Sequence, residues 1–216
     1  PFIQGYAFTG WNTAADGNGT AYNAGSSFTV SADVTLYAQW EGGQANIAAA
    51  FAGGDGSSGN PYQIANAWQL YNAGYRSIID ENLHFVQTAD IDLGVAPWNQ
   101  GEGWPGIGEI GTTDFNATVD GDGFVISNLT ISADRTRVGL FSSVNGATLQ
   151  SIALENVNIQ SAGGFAGALL GAGNSTADTH IIESYATGTI TVDDQLFGDA
   201  ADANDRRVGG LVGFSI

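Results

Sequence analysis

The stretches FVISNLTI (124–131) and IALENVNI (152–159) decide the fold, because both carry the same spaced apolar pattern. Apolar side chains recur in steps of two, three and two. A step of two is one face of a strand, and the step of three marks a corner between two short strands. Looser copies read VQTADIDL (86–93) and YATGTITV (185–192), so the four copies start 38, 28 and 33 residues apart. This repeat predicts a parallel β-solenoid whose apolar rows stack along its axis.

The four copies also predict a register. One interior column should contain Leu129, Val157 and Ile190, and the next Ile131, Ile159 and Val192. The corner positions are Asp90, Asn128, Asn156 and Thr189. Short polar side chains tolerate unusual backbone angles there, and when stacked they can bond to one another along the axis.

Two carboxylate pairs are candidates for catalysis, because polysaccharide lyases and glycosidases use paired carboxylates. Asp90 and Asp92 form the first pair, but the other copies place non-catalytic residues at that corner, which favours a structural role. Asp120 and Asp122 in VDGDGF form the second pair, but Asp-Gly-Asp-Gly before a strand is first of all a turn signal. We therefore predict no catalytic and no cofactor-binding residues.

Composition limits the possible partners. The 216 residues carry a net charge of −17, with five arginines and no lysine. Such a chain has no basic patch for nucleic acid or anionic lipid. Cysteine is absent, which excludes disulfides and thiolate metal sites. No apolar run approaches the roughly 20 residues that span a bilayer, so we expect no nucleic-acid partner and no membrane insertion.

An acidic loop at 193–206 is the candidate metal site. The glycine-rich strings AGALLG (166–171) and VGGLVG (208–213) lie farther apart than the earlier pair, VGLFSS (138–143) and AGALLG, and the extra residues fall in this loop. The loop supplies five aspartates: Asp193, Asp194, Asp199, Asp202 and Asp205. Carboxylate oxygens are ligands for calcium, although the spacing does not match an EF-hand. The alternative is a solvated acidic loop that Arg206 and Arg207 partly neutralise, and this alternative is favoured.

Residues 1–40 differ in texture from the rest of the chain. GYAFTGWNTAADGNGTAYNAGSSFTVSADVTLYAQW (5–40) resembles the second half of an internalin-type B repeat, the Listeria–Bacteroides repeat. The resemblance implies a partial β-grasp-like unit of the kind found in strings in bacterial surface proteins. A Gly/Ala/Ser-rich stretch at 41–59 then reads as a linker, and Asn66 is a candidate N-cap of a helix at about 66–75. That helix would cover the end of the solenoid.

From about residue 59 to 216 the chain resembles the GLUG-motif β-helix family. The strings that carry the resemblance include NPYQIANAWQL (60–70), LHFVQTADIDLG (83–94) and VGGLVG (208–213), with looser forms VGLFSS (138–143) and AGALLG (166–171). The resemblance implies a right-handed parallel β-helix in a large secreted bacterial surface protein. The fold prediction is therefore all-β: a capped β-helix at 60–216, preceded by a partial β-grasp-like repeat.

No nucleophile constellation is visible around the two histidines. His84 and His180 lie far apart in sequence, and a surface or end-cap position is favoured for His84. Trp104 is expected to pack, whereas Trp98 is the better candidate for a surface aromatic that stacks on sugars. Glycosylation stays open at Asn18, Asn116 and Asn174, which begin N-x-Ser/Thr triplets.

These observations predict a non-enzymatic structural or adhesive segment of an extracellular bacterial cell-surface protein: a stalk, adhesin or filament. The alternative is a carbohydrate-active β-helix enzyme, which would need a groove of converging carboxylates. Ice binding would need a regular threonine array, and threonines alternate in one copy only. The partial B repeat at the start and the last turn of the β-helix at the end would both expose unpaired strand edges. We therefore expect partners in adjoining domains of a longer chain or in head-to-tail copies. Glycans and host or cell-surface ligands are further candidate partners.

Overall fold

The computed structural model describes residues 6–30, 33–42, 47–77, 82–108, 114–162, 164–174, 176–192 and 207–214. Nineteen strands, one 3-10 helix and one α-helix lie in these ranges. They run in the order β1 Tyr6–Asn12, β2 Ala21–Tyr22, β3 Tyr37–Gly42, a 3-10 helix Ile47–Ala50, β4 Tyr62–Ile64, α1 Ala67–Ser77, β5 His84–Gln87, β6 Ile91–Asp92, β7 Thr118–Asp120, β8 Val125–Ser127, β9 Thr130–Ala133, β10 Arg137–Val138, β11 Phe141–Val144, β12 Thr148–Gln150, β13 Ala153–Ser161, β14 Phe165–Ala166, β15 Leu170–Gly173, β16 His180–Ile182, β17 Tyr185–Val192, β18 Arg207–Val208 and β19 Val212–Phe214.

The N-terminal unit is a small antiparallel sheet in the order β2-β1-β3. Aromatic rings hold it together: Phe8 packs edge-on against Trp11 and Trp40, with ring centroids 5.2 and 5.4 Å apart. This sheet forms within the segment that resembles the B repeat.

The rest of the chain is a parallel β-solenoid of about three turns. Successive turns add one strand to each of four sheets, whose strand orders are β16-β12-β7-β5-β4, β17-β13-β8-β6 (with β9 also on β13), β11-β15-β19 and β10-β14-β18. Every strand pair in these sheets is parallel. The predicted all-β solenoid is confirmed.

The glycine motifs stack as rungs of the two three-stranded sheets. Val138 pairs with Ala166, and Ala166 pairs with Val208. A Cβ on Gly139 would lie 2.6 Å from the Gly167 carbonyl oxygen, so the close approach of these turns requires glycine.

Helix α1 lies at the N-terminal end of the solenoid. The Asn66 side chain accepts a hydrogen bond from Gln69 N at 3.0 Å, which confirms the predicted N-cap. Leu70 is buried, and Trp68 and Tyr71 pack against Trp98 with ring centroids 4.4 and 5.5 Å apart. The segment predicted as a linker contributes to the same core, because Phe51 is buried against Tyr62 and Phe85.

The interior columns confirm part of the predicted register. Asn158 pairs with Thr130, which places buried Val157 beside buried Leu129, and Ile159 pairs with Ile131. The predictions for the last copy are wrong: Ile190 pairs with Ile159, and Val192 pairs with Ser161. Gly188 instead lies opposite Val157. The cause is that β13 has one more residue than β17 at the corner.

The first and last copies also contain outward residues that the pattern predicted to face inward. In the first copy Phe85 and Gln87 are buried, whereas Val86 is half-buried and Thr88 is exposed. In the last copy Tyr185 is 46% exposed. The steps of two and three in these two copies were thus partly fortuitous.

Candidate functional site on the outer faces of the solenoid

A ladder of polar side chains runs along the corner that joins the two halves of the second five-stranded sheet. Asn128 and Asn156 have left-handed φ angles of 59° and 58°. The Asn156 amide donates to Asn128 Oδ1 at 2.6 Å, and the Asn128 amide donates to Asp92 Oδ1 at 2.8 Å. Each asparagine thus makes the turn and bonds to its neighbour in the next turn. The predicted axial bonding is confirmed for these two asparagines.

The corner predictions for Asp90 and Thr189 are wrong. Asp92, not Asp90, continues the ladder in the first turn. Asp90 instead accepts the Val125 N–H at 2.9 Å. Thr189 lies within β17, opposite Asn158, and makes no corner. Asp90 was misplaced because the repeat pattern aligns Ile91 with Leu129, whereas Ile91 pairs with Ile126, three residues earlier.

Three of the four candidate carboxylates accept hydrogen bonds from nearby backbone N–H groups or side-chain amides. Asp92 also accepts the Gly94 N–H at 2.7 Å, and the bonds from Asn128 and Gly94 lower the pKa of its carboxyl. Asp120 accepts the Asp122 N–H at 2.9 Å and the Gln150 amide at 2.5 Å. Asp122 has φ 48°, as the predicted turn requires.

The two histidines lie in one outward column of the first five-stranded sheet. His84 pairs with Thr118, Thr118 with Thr148, and Thr148 with His180. Three strand spacings therefore separate the imidazoles, roughly 14 Å. Only threonines lie between them in the column, so the register does not bring the two imidazoles into contact.

A partly buried polar cluster was not predicted from the sequence. Ser143 is fully buried, hydrogen-bonds to Asp114 and accepts a hydrogen bond from Arg137 Nη1 at 2.9 Å. Asn174 donates to the other Asp114 oxygen at 2.9 Å. Burial lowers the pKa of the Arg137 guanidinium, and the charge of Asp114 opposes this shift. Because these residues come from three turns, no local motif could have revealed the cluster.

Arginine and phenylalanine side chains alternate beside this cluster. Arg137 lies over the Phe165 ring at 5.8 Å from its centroid, and Arg207 lies over Phe214 at 4.0 Å. The two phenylalanine rings stack at 4.8 Å. Cation–π contacts of this kind stabilise the packing of successive turns.

The outward side of β13 and β17 carries groups that the fold does not use. We define the β13–β17 outer face as the outward residues on the two sides of the Asn156 corner: Glu155, Asn158, Gln160, Tyr185, Thr189 and Thr191. Glu155 and Tyr185 lie before the corner, and the other four residues lie after it. Asn158 pairs with Thr189, and Gln160 pairs with Thr191. Among the residues that the structure describes, these four side chains make no hydrogen bond. The threonines thus stack on amides, and the regular threonine array that ice binding would need is absent from these two strands.

Tyr185 is fixed on the same face. Its hydroxyl donates to Glu155 Oε1 at 2.9 Å, and this bond raises the pKa of the phenol. Tyr185 pairs with Ala153, two residues before Glu155 on the neighbouring strand. The ring must therefore extend along the face to reach the carboxylate, with 46% of the residue exposed.

Trp98, the predicted surface aromatic, is buried. Its ring packs 4.8 Å from that of Trp104, which is fully buried and donates its indole N–H to the Leu140 carbonyl at 3.0 Å. The packing prediction for Trp104 is confirmed, and that for Trp98 is wrong because α1 covers it.

The predicted calcium ligands Asp193, Asp194, Asp199, Asp202 and Asp205 lie outside the described residues. Within the described part of the chain, no three His, Asp or Glu side chains group as metal ligands would. A cleft of about 250 Å³ lies between β17 and residues 208–210, with Gly188, Gly209 and Gly210 in its wall. In the ranges that the structure covers, no helix is long and apolar enough to cross a bilayer.

Comparison with known proteins gives one family match and two longer relatives. Residues 1–39 match the Listeria-Bacteroides repeat domain. Halomucin from Haloquadratum walsbyi is 30% identical over 165 residues, which are 75% of this chain and 2% of halomucin. A putative Gly-rich membrane protein from Evansella cellulosilytica is 32% identical over 145 residues, 65% of this chain and 16% of that protein. The chain thus spans only a small part of either relative.

A solved structure supports the solenoid. The crystal structure of a putative immunoglobulin A1 protease from Bacteroides ovatus superposes with a TM-score of 0.50 at 28% identity. The match covers 64% of this chain and 40% of that one.

Proposed function

We propose that this chain is a structural and adhesive segment of a large secreted bacterial cell-surface protein, such as a stalk, an adhesin or an extracellular filament. The observation that carries the proposal is that polar side chains hydrogen-bond between successive turns of the solenoid. Asp92, Asn128 and Asn156 form hydrogen bonds between successive turns of the solenoid, and Asp114 and Ser143 do the same. Polar groups that bond between turns stabilise a repeated structure. The outer faces of its sheets then stay available for contact with other molecules.

Three further observations support this proposal. The N-terminal repeat and both relatives point to surface proteins by their names. The chain corresponds to a small part of each relative, which favours adjoining domains of a longer polypeptide as its partners. The stacked glycine motifs favour assigning about residues 59–216 to the GLUG type of β-helix. On these grounds we place the segment outside the cell.

A carbohydrate-active enzyme is the second candidate, and one observation favours it. Asp92 and Glu155 occupy one outward column, with Ser127 between them. Two strand spacings separate their backbones, roughly 10 Å, which is near the upper end of the carboxylate separation in inverting glycosidases. Both carboxylates, however, already accept hydrogen bonds from neighbouring side chains.

An assay of the purified chain separates the two functions. We expect no new reducing ends or unsaturated sugars from a panel of extracellular polysaccharides. We also expect Asp92→Asn to lower the melting temperature, because the carboxylate stabilises the corner. A polysaccharide-cleaving activity that Asp92→Asn or Glu155→Gln abolishes without a loss of stability would overturn the structural proposal.

A further inference from the structure

We propose that the β13–β17 outer face binds a neutral polysaccharide, with Tyr185 as the stacking platform. The inference rests on the proposed surface function, which it deepens by naming a ligand class and a site. It begins from Tyr185, whose ring is exposed and tied down at its hydroxyl. A fixed aromatic ring loses little side-chain entropy when a sugar ring stacks on it.

The remaining groups of the face suit hydroxyl-bearing ligands. Amide and hydroxyl side chains each donate and accept hydrogen bonds. Asn158 stands beside Thr189, and Gln160 beside Thr191, with roughly 5 Å between strands and about 7 Å between outward residues along each strand. A chain of sugars presents donors and acceptors at many successive positions. Several weak contacts along one ligand then add to a useful total affinity.

Charge argues against an anionic ligand. The chain carries −17, so it repels anionic polysaccharides over distances of about a Debye length. The only charged residue of the face is Glu155, whose carboxylate accepts the Tyr185 hydroxyl. The face also lacks the contiguous apolar surface on which a protein partner would dock.

The fold does not need these side chains, which makes the test clean. Asn158, Gln160, Thr189 and Thr191 are exposed and make no hydrogen bond within the described residues. Their replacement by alanine should therefore leave the melting temperature nearly unchanged. The same holds for Tyr185→Ala, apart from the single bond to Glu155.

The experiment is affinity electrophoresis of the whole chain through gels that contain mixed-linkage β-glucan, galactomannan or dextran, with alginate as an anionic comparison. We expect at least one neutral polysaccharide to retard the chain. Tyr185→Ala should weaken that retardation by about fivefold or more, and the double variant Asn158→Ala/Thr189→Ala by a similar factor. Tyr185→Phe keeps the ring but releases it from Glu155, so it should fall between the wild type and Tyr185→Ala.

Matched controls come from other surfaces. Tyr37 is 42% exposed on the N-terminal sheet, and Thr118 and Thr148 form an outward pair on the first sheet of the solenoid. Tyr37→Ala and Thr118→Ala/Thr148→Ala should bind as the wild type does. Retardation by alginate alone, by no polysaccharide, or equally in Tyr185→Ala would overturn the proposal. None of these outcomes bears on the cleavage assay, so this site can fail while the structural function stands.

Discussion

Replacement of Ile159 by alanine tests the stacking of turns. Ile159 is fully buried and pairs with Ile131 on one side and Ile190 on the other. Truncation of a buried isoleucine costs about 2–5 kcal/mol. Because partners on both sides hold the cavity open, we expect about 3 kcal/mol for Ile159→Ala. This loss corresponds to a fall in melting temperature of roughly 6–12 °C in a chain of this size.

Ile190 supplies the matched control, since it has the same side chain in the same column. It is only half-buried and has one partner in the described part of the column. Ile190→Ala should cost about half as much as Ile159→Ala. Urea unfolding of both variants and of the double variant measures the cost and the coupling. Stacked side chains should couple by at least about 0.5 kcal/mol. Equal costs with no coupling would refute the stacking of Ile159 on Ile190.

Three further predictions concern the corner and the acidic residues. Asn156→Ala should destabilise the chain by about 1–3 kcal/mol, because alanine is strained at φ 58° and loses the bond to Asn128, whereas Asn156→Gly should cost less; urea unfolding measures both. Since the pKa of Asp92 is lowered from 3.8, its contribution is present above that value and is lost as the pH falls further; thermal melts below pH 4 should therefore show less acid sensitivity in Asp92→Asn. If the 193–205 aspartates bind calcium, EDTA should lower the melting temperature, and Asp199→Asn/Asp202→Asn should abolish that dependence.

Each of the three has a contrary outcome. Equal destabilisation by Asn156→Gly and Asn156→Ala would show that the left-handed angle carries no cost. If the melting temperature of Asp92→Asn falls with pH as that of the wild type does, the Asp92 carboxylate does not contribute to the pH dependence of stability. Identical melting curves in EDTA and in millimolar calcium would leave the solvated acidic loop.

The sequence predicted the parts of the fold that depend on local chemistry. Asn128 and Asn156 tolerate left-handed angles, and Asn66 caps a helix, so residue type alone located two corners and a helix start. The two central copies are apolar at every predicted inward position, which fixed the columns of Leu129 and Ile131.

The same reasoning failed where residue type was ambiguous. Gly188 has no side chain to mark it as an interior position, and its φ of 136° places a Cβ against the Val157 carbonyl. The apolar pattern therefore assigned Ile190, instead of Gly188, to the position opposite Val157. This assignment shifted the predicted register of the last turn by two residues. Trp98 was misplaced for another reason: its burial depends on α1, which packs on it from 30 residues earlier in the chain. The composition of the β13–β17 outer face depends on the register of the last turn, so the sequence pattern could not predict it either.

Disulfide formation between engineered cysteines tests that register most directly, because the natural chain has no cysteine. Asn158 and Thr189 are paired on neighbouring strands, so their Cα atoms should lie about 5 Å apart, within disulfide range. The sequence pattern instead places Thr191 opposite Asn158, whereas the structure puts that pair on a diagonal of about 8 Å. After mild oxidation, peptide mass spectrometry should find the disulfide in Asn158→Cys/Thr189→Cys and not in Asn158→Cys/Thr191→Cys. The reverse result would contradict the stacking of β17 on β13.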